Sequence, residues 1–275
     1  MVIALAAGHT ATYTMTGGEL NNTASDFTIG ESGTGTLNIG AGATVNATSG
    51  GGFVVGRNNG SAGFLTVNGV LNRTQGSVRV GNGDLVGVDN TNAPGELGGT
   101  GTINARDGVR IGARGTLSGA SKTTVGTLQI NGGLSFSSNG ILFANFDATG
   151  SSDRIGVDGA VDLNGAVLDG AWTLGGLTGP TNRYWIVEND GADLTLGAFA
   201  NASLGSPSAA IFPDAQGWVT LGGQEFAVYY NGDFDTNAPA GGGNDVYLTA
   251  VPEPASVLLL GGAALGLLAR RRRRS

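Results

Sequence analysis

The chain of 275 residues has no cysteine and one histidine, His9. The first absence excludes disulfides and thiolate sites, so stability outside a cell must come from the stacking of the chain itself. The second withdraws the usual general base from most catalytic schemes. Charge is scarce: 13% of residues are Asp, Glu, Lys or Arg, against about 25% in an ordinary globular domain. It is also one-sided. Residues 1–250 hold nine bases and twenty acids, a net charge of −11, and residues 126–250 hold thirteen acids and two bases, Arg154 and Arg183. An acidic body disfavours nucleic acid and anionic membranes as partners and favours solubility or cation uptake.

What is abundant is glycine, 52 residues, with many Thr, Asn and Ser. That composition argues for short strands and tight turns and against a helical or α/β enzyme. A repeat organises it. Phe27-Thr28-Ile29-Gly30, Phe53-Val54-Val55-Gly56 and Val78-Arg79-Val80-Gly81 open units 26 and 25 residues apart. The first two units continue through a Gly-rich turn into Leu37-Asn38-Ile39 or Leu65-Thr66-Val67, then reach Val45-Asn46 or Leu71-Asn72. A degenerate copy follows at Val109-Arg110-Ile111-Gly112, after an insertion around Asn90–Gly99 that contains Pro94.

Apolar residues at i and i+2 point to one side of a strand, and two or three strands per unit, joined at Gly and Asn, close one coil. The expected fold is therefore all-β, a right-handed parallel β-helix of ~25-residue coils, with an antiparallel β-sandwich as the alternative. The boundaries expected are 1–26 as an N-terminal cap or truncated signal remnant, 27–168 as repeats, 169–250 as an aromatic-rich β cap, and 251–275 as a separate tail. Val2–Ala7 is too short, and lacks the basic flank, for an export signal; the expectation is a gene start further upstream or an incomplete chain, with a simple first strand as the alternative. Between Phe27 and Leu168 the wording of the units resembles the passenger-associated repeats of bacterial autotransporters. That resemblance implies closing coils from Leu128 and Asp153 and a terminal hairpin between Phe226 and Ala250.

The last 25 residues have a different chemistry. Val251-Pro252-Glu253-Pro254 leads into an uncharged apolar run from Ala255 to Ala269, through Leu260, and Arg270, Arg271, Arg272, Arg273 and Arg274 close it. Fifteen residues at ~1.5 Å each reach roughly 22 Å as a helix, short of the ~30 Å hydrocarbon core. The arginines stay cytoplasmic by the positive-inside rule, which puts everything before Val251 outside. Gly262 and Gly266 form a GxxxG pair that a segment so rich in small residues can also produce by chance. Order, spacing and terminal position together resemble the PEP-CTERM sorting signal of Gram-negative bacteria. The resemblance implies export across the inner membrane, transient anchoring there by a short transmembrane helix, processing by an exosortase, and cell-surface or extracellular, exopolysaccharide- or biofilm-associated material.

Three functions stay open on the residues: a structural or adhesive surface protein, which is preferred; a carbohydrate-binding module using Trp172, Trp185 and Trp218; and a polysaccharide-degrading enzyme. For the last, Asp153, Asp158, Asp162 and Asp169 recur in one region and Arg79, Arg106, Arg110 and Arg114 in another, but the acids sit in Gly-containing turns, where Asp is favoured locally. No catalytic residue and no cofactor are expected. Asp233, Asp235 and Asp245, with Asn244, flank a Gly-rich loop and are weak Ca²⁺ candidates, since hard oxygen ligands suit that ion. Asn21, Asn46, Asn59, Asn72 and Asn201 begin Asn-x-Ser/Thr triplets, a number that so much Asn and Thr yields by chance.

Overall fold

The computed structural model describes residues 1–81, 93–173, 178–179, 181–190, 193–238 and 242–252. It is an all-β parallel solenoid whose only helix among those residues is the 3₁₀ turn Pro207–Ala210. Each coil lays its strands on three faces. The first face carries eight short strands, Val2–Ile3, Phe27–Ile29, Phe53–Val55, Val78–Val80, Val109–Ile111, Leu134–Phe136, Val161–Asp162 and Thr195–Leu196, each parallel to the next. The long strand Thr34–Ala47 serves both other faces: its first half pairs with Ala62–Val67 and its second half with Val70–Arg73. Parallel pairing in register excludes the β-sandwich for this body.

The alternation in Thr34–Ala47 shows why the sequence folds this way. Leu37, Ile39, Ala43, Val45 and Ala47 are buried, while Thr36, Asn38, Thr44 and Asn46 between them are half-buried on the outside. Stacking multiplies the pattern. On the second face Leu37, Leu65, Leu97, Leu117, Leu142 and Leu168 lie in register, none more than 2% exposed. Each such leucine contributes ~2 kcal/mol of burial, which a single coil could not collect without a neighbour on either side.

The third face carries a matching polar ladder outside. The Asn46 amide donates to Asn21 (2.8 Å), Asn72 to Asn46 (2.7 Å), Asn104 to Asn72 (2.7 Å) and Asn131 to Asn104 (2.6 Å). Each side chain is held by the identical one in the coil before it, which fixes register by exact repetition of donor and acceptor. Asp158 takes the next place in line and ends the ladder, because a carboxylate has no N–H to donate.

Two expectations need correction. Gly95–Gly98, placed inside an insertion, is a second-face strand between Ala62–Val67 and Gly115–Ser118; the other part of that insertion, 90–92, lies outside the described residues. The copy at Val109–Ile111 is a regular rung, bonded on both sides, not a degenerate one. Residues 1–26 form a coil of the same kind, with Thr10–Asn22 in register on Thr34–Ala47.

At the other end the geometry changes. Tyr184–Asn189 pairs parallel with Arg154–Asp158 on one side and antiparallel with Asp245–Ala250 on the other. Asp245–Ala250 pairs with Gln224–Gly232, and that with Gly217–Leu221, so an antiparallel sheet closes the solenoid and contains the hairpin expected between Phe226 and Ala250. One side of this sheet faces the main core through Phe226, Val228, Val246 and Leu248; the other buries Trp185, Trp218, Tyr229 and Tyr247 with Phe212. Two-sided burial accounts for the second half's larger side chains.

Candidate functional site

The exit of the chain from the body is built from Asp245–Ala250, an interior strand of the closing sheet. Its ladder continues one residue further: Val251 N–H donates to Glu225 O at 2.9 Å, and the Gln224 side-chain amide donates to Val251 O. Val251 is buried. Pro252 has no N–H and stops the pairing. Glu225 is itself fixed by the hydroxyls of Ser206 (2.6 Å) and Ser208 (3.0 Å). Glu253, Pro254, the apolar positions Ala255, Leu260, Gly262, Gly266 and Ala269, and Arg270 to Arg274 lie outside the described residues. Among the described residues no helix is long and apolar enough to cross a membrane.

The other sequence candidates are scattered. Asp162 accepts from Asn164 N–H at the start of a turn, whereas Asp169, expected in a turn, lies within the strand Val167–Trp172 and accepts from Gly170 N–H; Asp158 is exposed on the third face. Asp153 is buried and accepts three hydrogen bonds, from Gly126 N–H (2.9 Å), Asn145 N–H (3.0 Å) and the Asn145 amide (2.8 Å). Arg79 and Arg110 are register neighbours on the first face, and Arg106 lies 3.8 Å from Asp107. Arg106, Arg110 and Arg114 are exposed and Arg79 is half-buried. Asn46 and Asn72 have their amides in the ladder, and Asn201 bonds both the N–H and the carbonyl of Leu168.

Asp153 gives the body an unusual pH response. Burial pushes its carboxyl from 3.8 up to about 6, against the pull of the three donors. The folded state therefore binds a proton that the unfolded chain releases, between about pH 4 and 6. Stability falls as pH rises through that window and is level above it, a penalty at neutral pH on the order of 3 kcal/mol. Burial moves Glu188, Asp190 and Asp245 upward as well. Asp26, held down by the Gly52 N–H and Arg57, and Asp147, held down by Thr149 and Ser151, act only below the ordinary carboxylate value. We expect the melting temperature to rise by several degrees between pH 7 and pH 5, and Asp153→Asn to flatten the profile; thermal melts of both proteins across that range check it, and a wild-type midpoint that falls on acidification would contradict it.

The Ca²⁺ candidates line a pocket of about 200 Å³ with Glu188 and Asp190. Asp245 is held by backbone donors, Asn189 N–H (2.6 Å) on one oxygen and Phe234 N–H (2.7 Å) on the other. Asp233 accepts from Thr236 N–H at 3.0 Å, which lowers its pKa. Among the described residues no three acidic or histidine side chains come together closely enough to hold a metal ion. The tryptophans do not form an exposed row. Trp218 packs on Phe212, Trp172 meets Tyr184 and Phe226 edge-on, and Trp185 is 9% exposed against Tyr247 and Phe234.

One assembly was not read from the sequence: Arg154, Arg183, Trp185 and Phe234 line a single groove. Its only signal in the residues was that Arg154 and Arg183 are the sole bases of an acidic half.

Comparison with known families matches residues 250–274 to the PEP-CTERM protein-sorting motif. No curated protein and no solved structure matches the chain. The motif implies export, an extracellular or surface destination, and processing by an exosortase. It begins on Ala250, the last residue of the closing sheet.

Proposed function

We propose that this chain is a structural or adhesive β-solenoid of the cell surface, delivered outward, anchored briefly in the inner membrane by its tail, and released or transferred when an exosortase cuts near Pro252-Glu253-Pro254. The observation that carries this reading is the junction itself. A sorting motif starts where the last strand of a folded, cysteine-free body ends, so address and cargo meet with no intervening linker. The body supports a scaffold role: its long faces display Thr and Asn over a continuous apolar core, and the candidate carboxylates mostly serve turns and backbone donors. No catalytic group and no cofactor enter the proposal. Association with exopolysaccharide in a biofilm of a Gram-negative host is the setting that the sorting signal suggests.

Expression in the host with and without its exosortase, followed by mass spectrometry of the C-terminus, tests the reading. The expected result is loss of Arg270 to Arg274 only where the enzyme is present. An intact tail in both samples would leave a plain membrane anchor and overturn the proposal.

A further inference from the structure

Both bases of residues 126–250 reach the same groove, although thirteen acids surround them in sequence and offer partners elsewhere. The groove measures about 340 Å³, within the ~300–1,000 Å³ of small-molecule sites. Arg154 lies over Phe234 with its Cζ 4.2 Å from the ring centre, and Arg183 lies over Tyr247 at 5.6 Å. Stacking on a ring fixes the plane of a guanidinium while leaving its in-plane N–H groups free to donate. Arg183 donates to the Asn237 carbonyl (2.8 Å) and side chain (3.2 Å), and among the described residues no carboxylate pairs with it. Its buried Nε–H has no hydrogen-bond partner. Arg154 Nε lies 3.0 Å from the Glu188 carboxylate, but its N–H is not directed along that line and makes no hydrogen bond. Both guanidinium groups thus line the groove beside Trp185, Phe234 and Ser151, and among the described residues Arg154 alone of the two has a carboxylate partner.

We propose that this groove binds a carboxylated sugar residue of a polysaccharide. The carboxylate answers the planar guanidinium donors of Arg183 and Arg154. The apolar face of the sugar ring lies on the edges of Trp185 and Phe234, and its hydroxyls meet Ser151 and Thr127. A neutral sugar would leave Arg183 without a counter-charge, and a bare anion would leave the aromatic wall uncovered. The groove's chemistry is independent of the sorting motif; only the choice of a polysaccharide over a free sugar acid rests on the surface location proposed above.

Titration calorimetry of the purified full chain with a tetrasaccharide of galacturonic acid, its methyl ester and inorganic sulfate tests this. The free acid is expected to bind at least about tenfold more tightly than the ester. Arg183→Gln should lose a similar factor, and Arg183→Lys should recover part of it, with far-UV circular dichroism confirming that both variants fold. If Arg183→Gln fails to fold, Arg154→Gln carries the same comparison. Equal binding of acid and ester, no binding of either, or sulfate binding as tightly as the oligosaccharide would overturn the proposal. Tail cleavage measured on Arg183→Gln separates the two readings: a failed groove leaves cleavage intact, and an uncut tail leaves the titration unaffected.

Discussion

Gly56→Val is expected to destabilise the solenoid by about 3 kcal/mol or more. Gly56 sits at φ +74°, a conformation that a β-branched residue adopts only under strain. Space is lacking too. A Cβ there would stand 2.3 Å from the carbonyl oxygen of Pro94 and 2.9 Å from its carbon. That carbonyl cannot retreat, since it accepts the Gly63 N–H at 3.0 Å, while Gly56 N–H is fixed on Ile29 O at 2.8 Å. Relief of the clash would pull the second-face strand away from the coil above. Gly60→Ala supplies the contrast: φ is +81° but nothing lies within 4 Å of the new methyl group, so about 1 kcal/mol is expected from the backbone conformation alone. Thermal melts of the two variants separate clash from strain, and equal midpoints would remove the close approach as a cause.

The same corner explains how much of the fold was legible. Gly30, Gly56 and Gly81 recur at the period of the repeat and share φ values of +73°, +74° and +67°, so a pattern in the letters corresponds to one corner repeated in space. Gly95–Gly98 escaped because its only large apolar residue is Leu97. Its glycines look like loop residues but answer to crowding: a Cβ on Gly95 would stand 2.2 Å from Gly81 N. Composition cannot distinguish a glycine that permits a turn from one that permits contact between coils. The groove was hidden for a different reason. Arg154 and Arg183 meet because Arg154–Asp158 and Tyr184–Asn189 are neighbouring rungs, and Phe234 joins them from the hairpin beyond. A pairing between rungs of unequal spacing leaves no periodic trace. The sorting motif was legible because its order of proline, apolar run and arginines is local.

Phe146→Ala is expected to uncouple the closing sheet from the solenoid, at a cost of about 3–5 kcal/mol. Phe146 ends the second-face strand Ile141–Phe146 and is 1% exposed. Its ring centre lies 5.1 Å from Phe226, 5.4 Å from Tyr184 and 6.1 Å from Trp172. Each partner belongs to a different strand: Phe226 to the antiparallel sheet, Tyr184 to the strand that pairs parallel on one side and antiparallel on the other, and Trp172 to the last second-face rung. Strand pairing joins the two architectures along Tyr184–Asn189, and this cluster of rings lies in the shared apolar core that Val228, Val246 and Leu248 also enter. Removing the central ring leaves a cavity bounded by stiff aromatic rings that cannot close over it. Leu117→Ala, in the middle of the leucine ladder, should instead lower a single transition, because its neighbours are equivalent rungs above and below. Melts followed in parallel by far-UV circular dichroism and by tryptophan fluorescence discriminate the two, since Trp172, Trp185 and Trp218 all report on the closing end. For Phe146→Ala the fluorescence midpoint should fall below the circular dichroism midpoint, and coincident transitions would mean that the closing sheet and the coils form one cooperative unit. Because Asp245–Ala250 leads through the bonded Val251 into Pro252, early loss of that sheet would also free the approach to the sorting motif, making cleavage of this variant faster than that of the parent chain.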